Sequence, residues 1–234
     1  MSYIENIYIC MAAPLLLAVL LIPHEGRRSL IFVLSGLTVC LLSSYISTFT
    51  SGVLGIDAQT ASYEVVPVIE EIFKFLPVVF YILIFNPKKE YAIRCSLLVA
   101  VGFATFENVC FLTSYGTSEL LRLVIRGFGT GAMHVVCGMV VCVGLFFLWD
   151  QSWLRIVGSF ALLCFVITFH AVFNIFVSQS GIILWIGSSI PLTMIVIYLV
   201  FFKGKFRLKE IKNFFKNYLG FFRILDTYII EVNI

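Results

Sequence analysis

The chain is built almost entirely of long apolar runs, near residues 7–23, 29–49, 63–86, 92–113, 123–148, 153–177 and 181–202, joined by short polar connections. A helix needs about 20 apolar residues to cross the hydrocarbon core of a bilayer. Only helices and closed barrels can span that core, because no water is present there to satisfy backbone groups. Runs of this length argue for helices. Composition agrees: 61% of residues are apolar, 12% are charged, and the mean hydropathy is +1.04, whereas soluble domains are about half apolar and a quarter charged. The expected fold is all-α, a polytopic transmembrane bundle of about seven spans. Residues 1–202 are read as one membrane domain whose candidate site lies within 63–177, and 203–234 as a basic tail. The first run follows Glu5 and is trailed by Arg27 and Arg28. That polarity is wrong for a cleaved signal peptide, so this run is expected to remain as a span.

The basic residues orient the bundle. Arg27, Arg28, Lys88, Lys89, Arg94 and Arg155 lie on alternate connections, and Lys203, Lys205, Arg207, Lys209, Lys212 and Lys216 follow the last run. The intervening connections carry Asp57 and Glu119, with Arg122 and Arg126 at the mouth of the fifth run. The positive-inside rule then places the N-terminus outside and the tail in the cytoplasm. In that tail Phe206, Ile211, Phe214, Phe215, Tyr218 and Phe222 recur among lysines, the pattern of an amphipathic helix on the anionic cytoplasmic leaflet. Short loops suit a bacterial plasma membrane. The seven cysteines form no CxxC pair and read as packing residues. No nucleic-acid partner is expected.

Ionisable groups inside a span are costly, so they mark candidate functional sites. The third run holds Glu70, Glu71 and Lys74; the fourth Glu107 and Asn108; the fifth Arg126 and His134; the sixth His170 and Asn174. At the helical rise, Glu70, Glu71, Glu107 and His170 all fall about 9–12 Å from the outer face, Asn174 about 5 Å and His134 about 15 Å. Four helices of alternating direction thus bring their polar groups to one outer layer, which predicts a single site open to the exterior. Glu70 and Lys74, like His170 and Asn174, are four residues apart and share a helix face. Glu70 and Glu71 point about 100° apart, so one can meet a substrate while the other meets a neighbouring helix.

Peptide hydrolysis needs a base to deprotonate water, a donor for the oxyanion and a proton for the leaving amine. Glutamates with two histidines and an asparagine supply all three. Glu70, Glu107, His134 and His170 are equally able to ligate a divalent metal such as zinc that activates the water; a glutamic-type site would need no cofactor. Neither an HExxH nor a GxSxG motif occurs. A proton- or ion-coupled transporter would also bury such groups, but carriers commonly show internal repeats, and here the polar groups sit on four consecutive runs without a second copy. A non-catalytic scaffold or immunity protein is the third reading.

The pieces EEIFK (Glu70 to Lys74), GFATFEN (Gly102 to Asn108), RGFGTGAMH (Arg126 to His134) and HAVFN (His170 to Asn174) resemble the PrsW family of intramembrane proteases. That family belongs to a wider group with the type II CAAX prenyl endopeptidases and bacteriocin-processing relatives. The resemblance implies that Glu70 activates water with support from Glu71 and His134, and that His170 and Asn174 bind the water or oxyanion. Glu107 would be a further site carboxylate, and Lys74 and Arg126 charge partners for the acids. The prenyl endopeptidases carry EExxxR; Phe75 occupies the place of that arginine here, which favours the PrsW branch. Members of that branch are associated with clipping single-span regulatory proteins, such as anti-sigma factors, on the extracytoplasmic side. The family is described both as metalloprotease and as glutamic protease, and the sequence leaves that choice open.

Overall fold

The computed structural model describes residues 4–116, 120–148 and 152–200. Over these it forms eight helices: α1 (Ile4–Leu21), α2 (His24–Leu54), α3 (Ala58–Glu64), α4 (Val66–Phe85), α5 (Lys89–Tyr115), α6 (Leu120–Leu148), α7 (Ser152–Val177) and α8 (Ile182–Tyr198). No strand occurs among the described residues. The chain divides into two compact units, residues 1–192 and 193–234, and the site lies wholly within the first. The amphipathic helix expected in the tail lies outside the described residues.

Five helices are long and apolar enough to cross a membrane: Ile4–Leu21, Gly26–Leu54, Lys89–Ser114, Leu123–Leu148 and Trp153–Val177. The other two expected runs differ for physical reasons. The last forms a helix of only 17 residues, Ile182–Tyr198. The third, read from sequence as one segment over 63–86, is divided at Val65, which ends α3 and opens α4. Pro67 falls in the first turn of α4, where its missing N–H has no intrahelical partner to lose. Glu70, Glu71 and Lys74 then follow within α4, too much charge for a helix bathed in lipid on all sides. Asp57 caps α3, accepting from the Thr60 hydroxyl and from the backbone N–H groups of Thr60 and Gln59. These bonds, that of the Thr60 hydroxyl foremost, hold its carboxyl below the usual carboxylate range.

The distribution of polarity is inverted relative to a water-soluble fold. Leu20, Phe80, Phe147, Ile156 and Phe160 are each at least 60% exposed, whereas Glu70, Glu71, Lys74, Thr130, His134 and His170 are buried. Such a surface is matched to hydrocarbon, and the polar groups are left to satisfy one another inside. The apolar core around them includes Leu37, Phe103, Phe106, Met133, Leu145 and Val166.

Helix pairs are held by close backbone approach and sparse hydrogen bonds. Tyr8 Oη pairs with Thr38 Oγ1 at 2.8 Å between α1 and α2, and Ser96 Oγ donates to the Gly138 carbonyl at 2.8 Å between α5 and α6. Between α2 and α5 the contact is closer still. A Cβ at Gly36 would run into the carbonyl oxygen of Val99, and one at Gly102 into that of Val33. Small residues that let helix backbones touch are the usual means of association where the solvent is itself apolar. Gly36→Val and Gly102→Val are therefore expected to destabilise the bundle by about 1–3 kcal/mol or more through overpacking. Gly52→Val is the matched control, because a Cβ there meets nothing within 4 Å. Cys40, Cys95, Cys137 and Cys142 are buried free thiols, so thiol labelling during heating reads the change directly. A Gly36→Val protein with the midpoint of the Gly52→Val control would refute the close approach.

Candidate active site

Four helices of the first unit converge their polar groups. α4 presents Glu70, Glu71 and Lys74 from one buried face; α5 presents Glu107, α6 presents Arg126 and His134, and α7 presents His170. Starting at α6, Arg126 Nη2 donates to Glu107 Oε1 at 2.6 Å, and Glu107 Oε2 faces His134 Nε2 at 2.5 Å. On the other side of the ring, Lys74 Nζ is 2.6 Å from His134 Nδ1 and 2.5 Å from Glu71 Oε1. Glu71 Oε1 also receives His170 Nδ1 at 2.7 Å. The network thus runs Arg126, Glu107, His134, Lys74, Glu71, His170 without a break.

Donor counting fixes the tautomers. A lysine ammonium has only hydrogens to give, so His134 accepts at Nδ1 and donates Nε2–H to Glu107. A carboxylate has only lone pairs to offer, so neutral His170 donates Nδ1–H to Glu71 and leaves Nε2 unprotonated. That Nε2 faces Glu70 Oε2 at 3.8 Å, and Glu70 Oε2 is buried without a hydrogen-bond partner. These two atoms therefore confront each other across a gap too long for a hydrogen bond. Buried polar atoms left in this way are rare, and this arrangement calls for a donor or a cation.

A ligand atom from each of Glu70, His134 and His170 can be chosen so that all three lie within 4.8 Å of one another. Two histidines and a carboxylate form a donor set of catalytic zinc sites, with a fourth position left for water. The histidines also have the outer support such ligands need, a carboxylate on the second ring nitrogen: Glu71 for His170 and Glu107 for His134. The residues present therefore fit a divalent metal, although His134 must release Lys74 or Glu107 to offer a nitrogen. The rings stand edge to face, with centroids 5.2 Å apart and planes at 89°. Phe103 packs beneath His134 and Lys74, 5.0 Å from the His134 centroid and 4.6 Å from Lys74 Nζ.

Several sequence expectations change in detail. Lys74, placed on one face with Glu70, pairs instead with Glu71 three residues before it. Glu107, counted among four metal-type residues, lies outside the three-residue group and is occupied by Arg126 and His134. Asn174, expected at the water or oxyanion, donates its Nδ2 to the Ser62 carbonyl at 2.8 Å and so fastens α7 to α3. Asn108 Oδ1 is buried without a partner. Arg126 is only 23% exposed and stacks on Phe111, 4.6 Å from the ring centre. Phe103 and Phe111 were not singled out from sequence; their positions four residues before and after Glu107 are the only signal that they share its face.

Neither a curated protein nor a solved structure matches the chain. The family described as PrsW family intramembrane metalloprotease matches residues 26–203, a stretch containing every residue of the network. The chain is thus a multi-pass membrane protein that belongs to the PrsW family of intramembrane proteases.

Proposed function

We propose that this protein hydrolyses a peptide bond of a single-span, membrane-anchored protein, such as an anti-sigma factor, near the extracytoplasmic face of a bacterial plasma membrane. The observation that carries the reading is the buried, unpartnered Glu70 Oε2 facing His170 Nε2. A water placed between these two acceptors donates a hydrogen to each, which orients its oxygen lone pairs toward a scissile carbonyl. Glu70 takes the proton as the oxygen attacks and delivers it to the leaving amide nitrogen as the C–N bond breaks. Glu71 holds the His170 ring so that Nε2 stays a lone pair. Lys74 and Arg126 offset the charge of Glu71 and Glu107, and His134 links the two pairs. The basic connections, read by the positive-inside rule with the N-terminus outside, favour the outer side of the bundle for this layer.

In the metal-dependent form of the reading, Glu70, His134 and His170 would hold a divalent metal, zinc being the natural candidate for this donor set, and Glu70 would be a ligand in place of the base. When bound, such a metal supplies Lewis acidity toward the carbonyl oxygen and favours ionisation of water. Glu107 and Glu71 then act on the histidines behind it, fixing ring orientation and tautomer.

The test is cleavage of a panel of single-span reporters co-reconstituted with wild-type protein and with His170→Ala, each with and without chelator. Loss of cleavage on chelation, restored by added zinc, would assign metal dependence. Cleavage that resists the chelator but is lost in His170→Ala would assign a glutamate-driven hydrolysis. Undiminished cleavage in His170→Ala would remove the histidine, and with it the proposed site.

A further inference from the structure

A cavity of about 510 Å³ lies beside the charged network and shares Arg126 with it. Its walls come from the same helices, one turn along. Phe111 follows Glu107 by four residues on α5; Thr130 precedes His134 by four on α6; Phe173 follows His170 by three on α7. Residues three and four apart lie on the same face of a helix, so the cavity adjoins the site toward the α5 and α7 C-termini and the α6 N-terminus. Leu184 and Trp185 of α8 complete it. Those helix ends are the ones that the basic connections assign to the outer face.

Volume and chemistry fit a guest. Ligand cavities run from about 300 to 1,000 Å³ and are mostly apolar with a few fixed polar groups. Here the apolar walls are Phe111, Phe173, Leu184 and Trp185, and the polar groups include Arg126 and Thr130. Arg126 forms the bridge to the site: its Nη2 is spent on Glu107, while its Nε is buried without a partner. That N–H is a donor in want of a carbonyl oxygen. An extended peptide would supply one from its backbone, with a neighbouring side chain to fill the apolar walls.

We infer that this cavity is the specificity pocket of the protease: it receives a leucine- or phenylalanine-sized side chain next to the scissile bond, with Arg126 Nε binding the substrate backbone. The inference rests on the proteolytic reading for the reaction but not for the binding.

Binding is tested apart from cleavage. A photo-crosslinking residue replaces Trp185 in the Glu70→Gln protein, with the same residue at the lipid-facing Phe80 as control. The probes are single-span reporters carrying Phe, Leu, Ala or Asp at the outer end of the span. Adducts with Phe and Leu reporters from position 185, and none from 80, are expected. Adducts only to lipid, or equal yields from both positions, would overturn the pocket. Cleavage is read in parallel on Leu184→Trp, which narrows the cavity from a half-buried position, and on Leu184→Ala, which widens it. Leu184→Trp should lower the Phe-to-Ala cleavage ratio about tenfold or more, the size a hydrophobic pocket commands, and Leu184→Ala should favour Phe over Leu. Adducts without cleavage of any reporter would keep the pocket and discard the hydrolysis. Cleavage with unchanged ratios and no adducts would do the reverse.

Discussion

Glu70→Gln is expected to lower cleavage by roughly 10²- to 10⁴-fold, the usual worth of a general base, while leaving the protein at least as stable as wild type. The two halves of this expectation come from one atom. Glu70 Oε2 is buried and bonded to nothing, so an amide of the same shape forfeits no hydrogen bond there. It also removes a carboxylate whose burial costs several kcal/mol when ionised. A residue kept at such cost is the signature of a site in which stability has been given up for chemistry. Glu107→Gln is the contrast. It leaves the Arg126 guanidinium without its counter-charge and should lower the thermal midpoint as well as activity. Thiol labelling of the buried cysteines gives the stabilities, and reporter cleavage the rates. A Glu70→Gln protein that melts well below wild type would make Glu70 a structural residue, and one that cleaves normally would place the base elsewhere.

Why Glu70 stood out in the sequence, and why its surroundings did not, has a physical explanation. A charge in an apolar run is conspicuous because lipid has no way to solvate it. Glu70, Glu71, Lys74, Glu107, Arg126, His134 and His170 were legible as one layer on that ground, and the structure brings all seven together. Pairing within the layer was not legible. Helical spacing favoured Glu70 with Lys74, but spacing describes one helix, and His134 on α6 lies where it draws Lys74 toward Glu71 instead. Asn174 was misplaced for a related reason. Its partner is the Ser62 carbonyl of α3, and Ser62 lies just ahead of the run 63–86, in a connection where no helix was expected. The seven residues of α3, AQTASYE, are mostly polar and too few to announce a helix. Only Pro67 hinted at it, and a proline within a long apolar run reads as readily as a kink.

The same network makes Lys74 the position where a single substitution should harm folding most. Its ammonium sits in a buried pocket between Glu71 Oε1 and His134 Nδ1, both within 2.6 Å, with the face of Phe103 beside it. Lys74→Met keeps the length of the side chain and removes the charge, which leaves the Glu71 carboxylate with His170 alone. Breaking a buried ion pair from one side typically costs about 3–5 kcal/mol, because the surviving charge is stranded. Replacing both members costs far less, so the double variant Glu71→Gln/Lys74→Met should recover most of that loss. The amide oxygen of Gln at 71 can still accept from His170 Nδ1, which keeps the recovery from being confounded by a second broken bond. The difference between the double variant and the two single ones is the coupling energy of the pair. The same substitution frees His134 Nδ1 from its occupant and withdraws a positive charge from beside the Glu70, His134 and His170 group. Zinc titration of the purified protein should accordingly show tighter binding in Lys74→Met, by about tenfold for each 1.4 kcal/mol of repulsion relieved. Independent, additive losses in the three variants would mean that Lys74 and Glu71 do not act as a pair. Zinc binding no tighter than in wild type would mean that the ammonium does not stand in the metal's way.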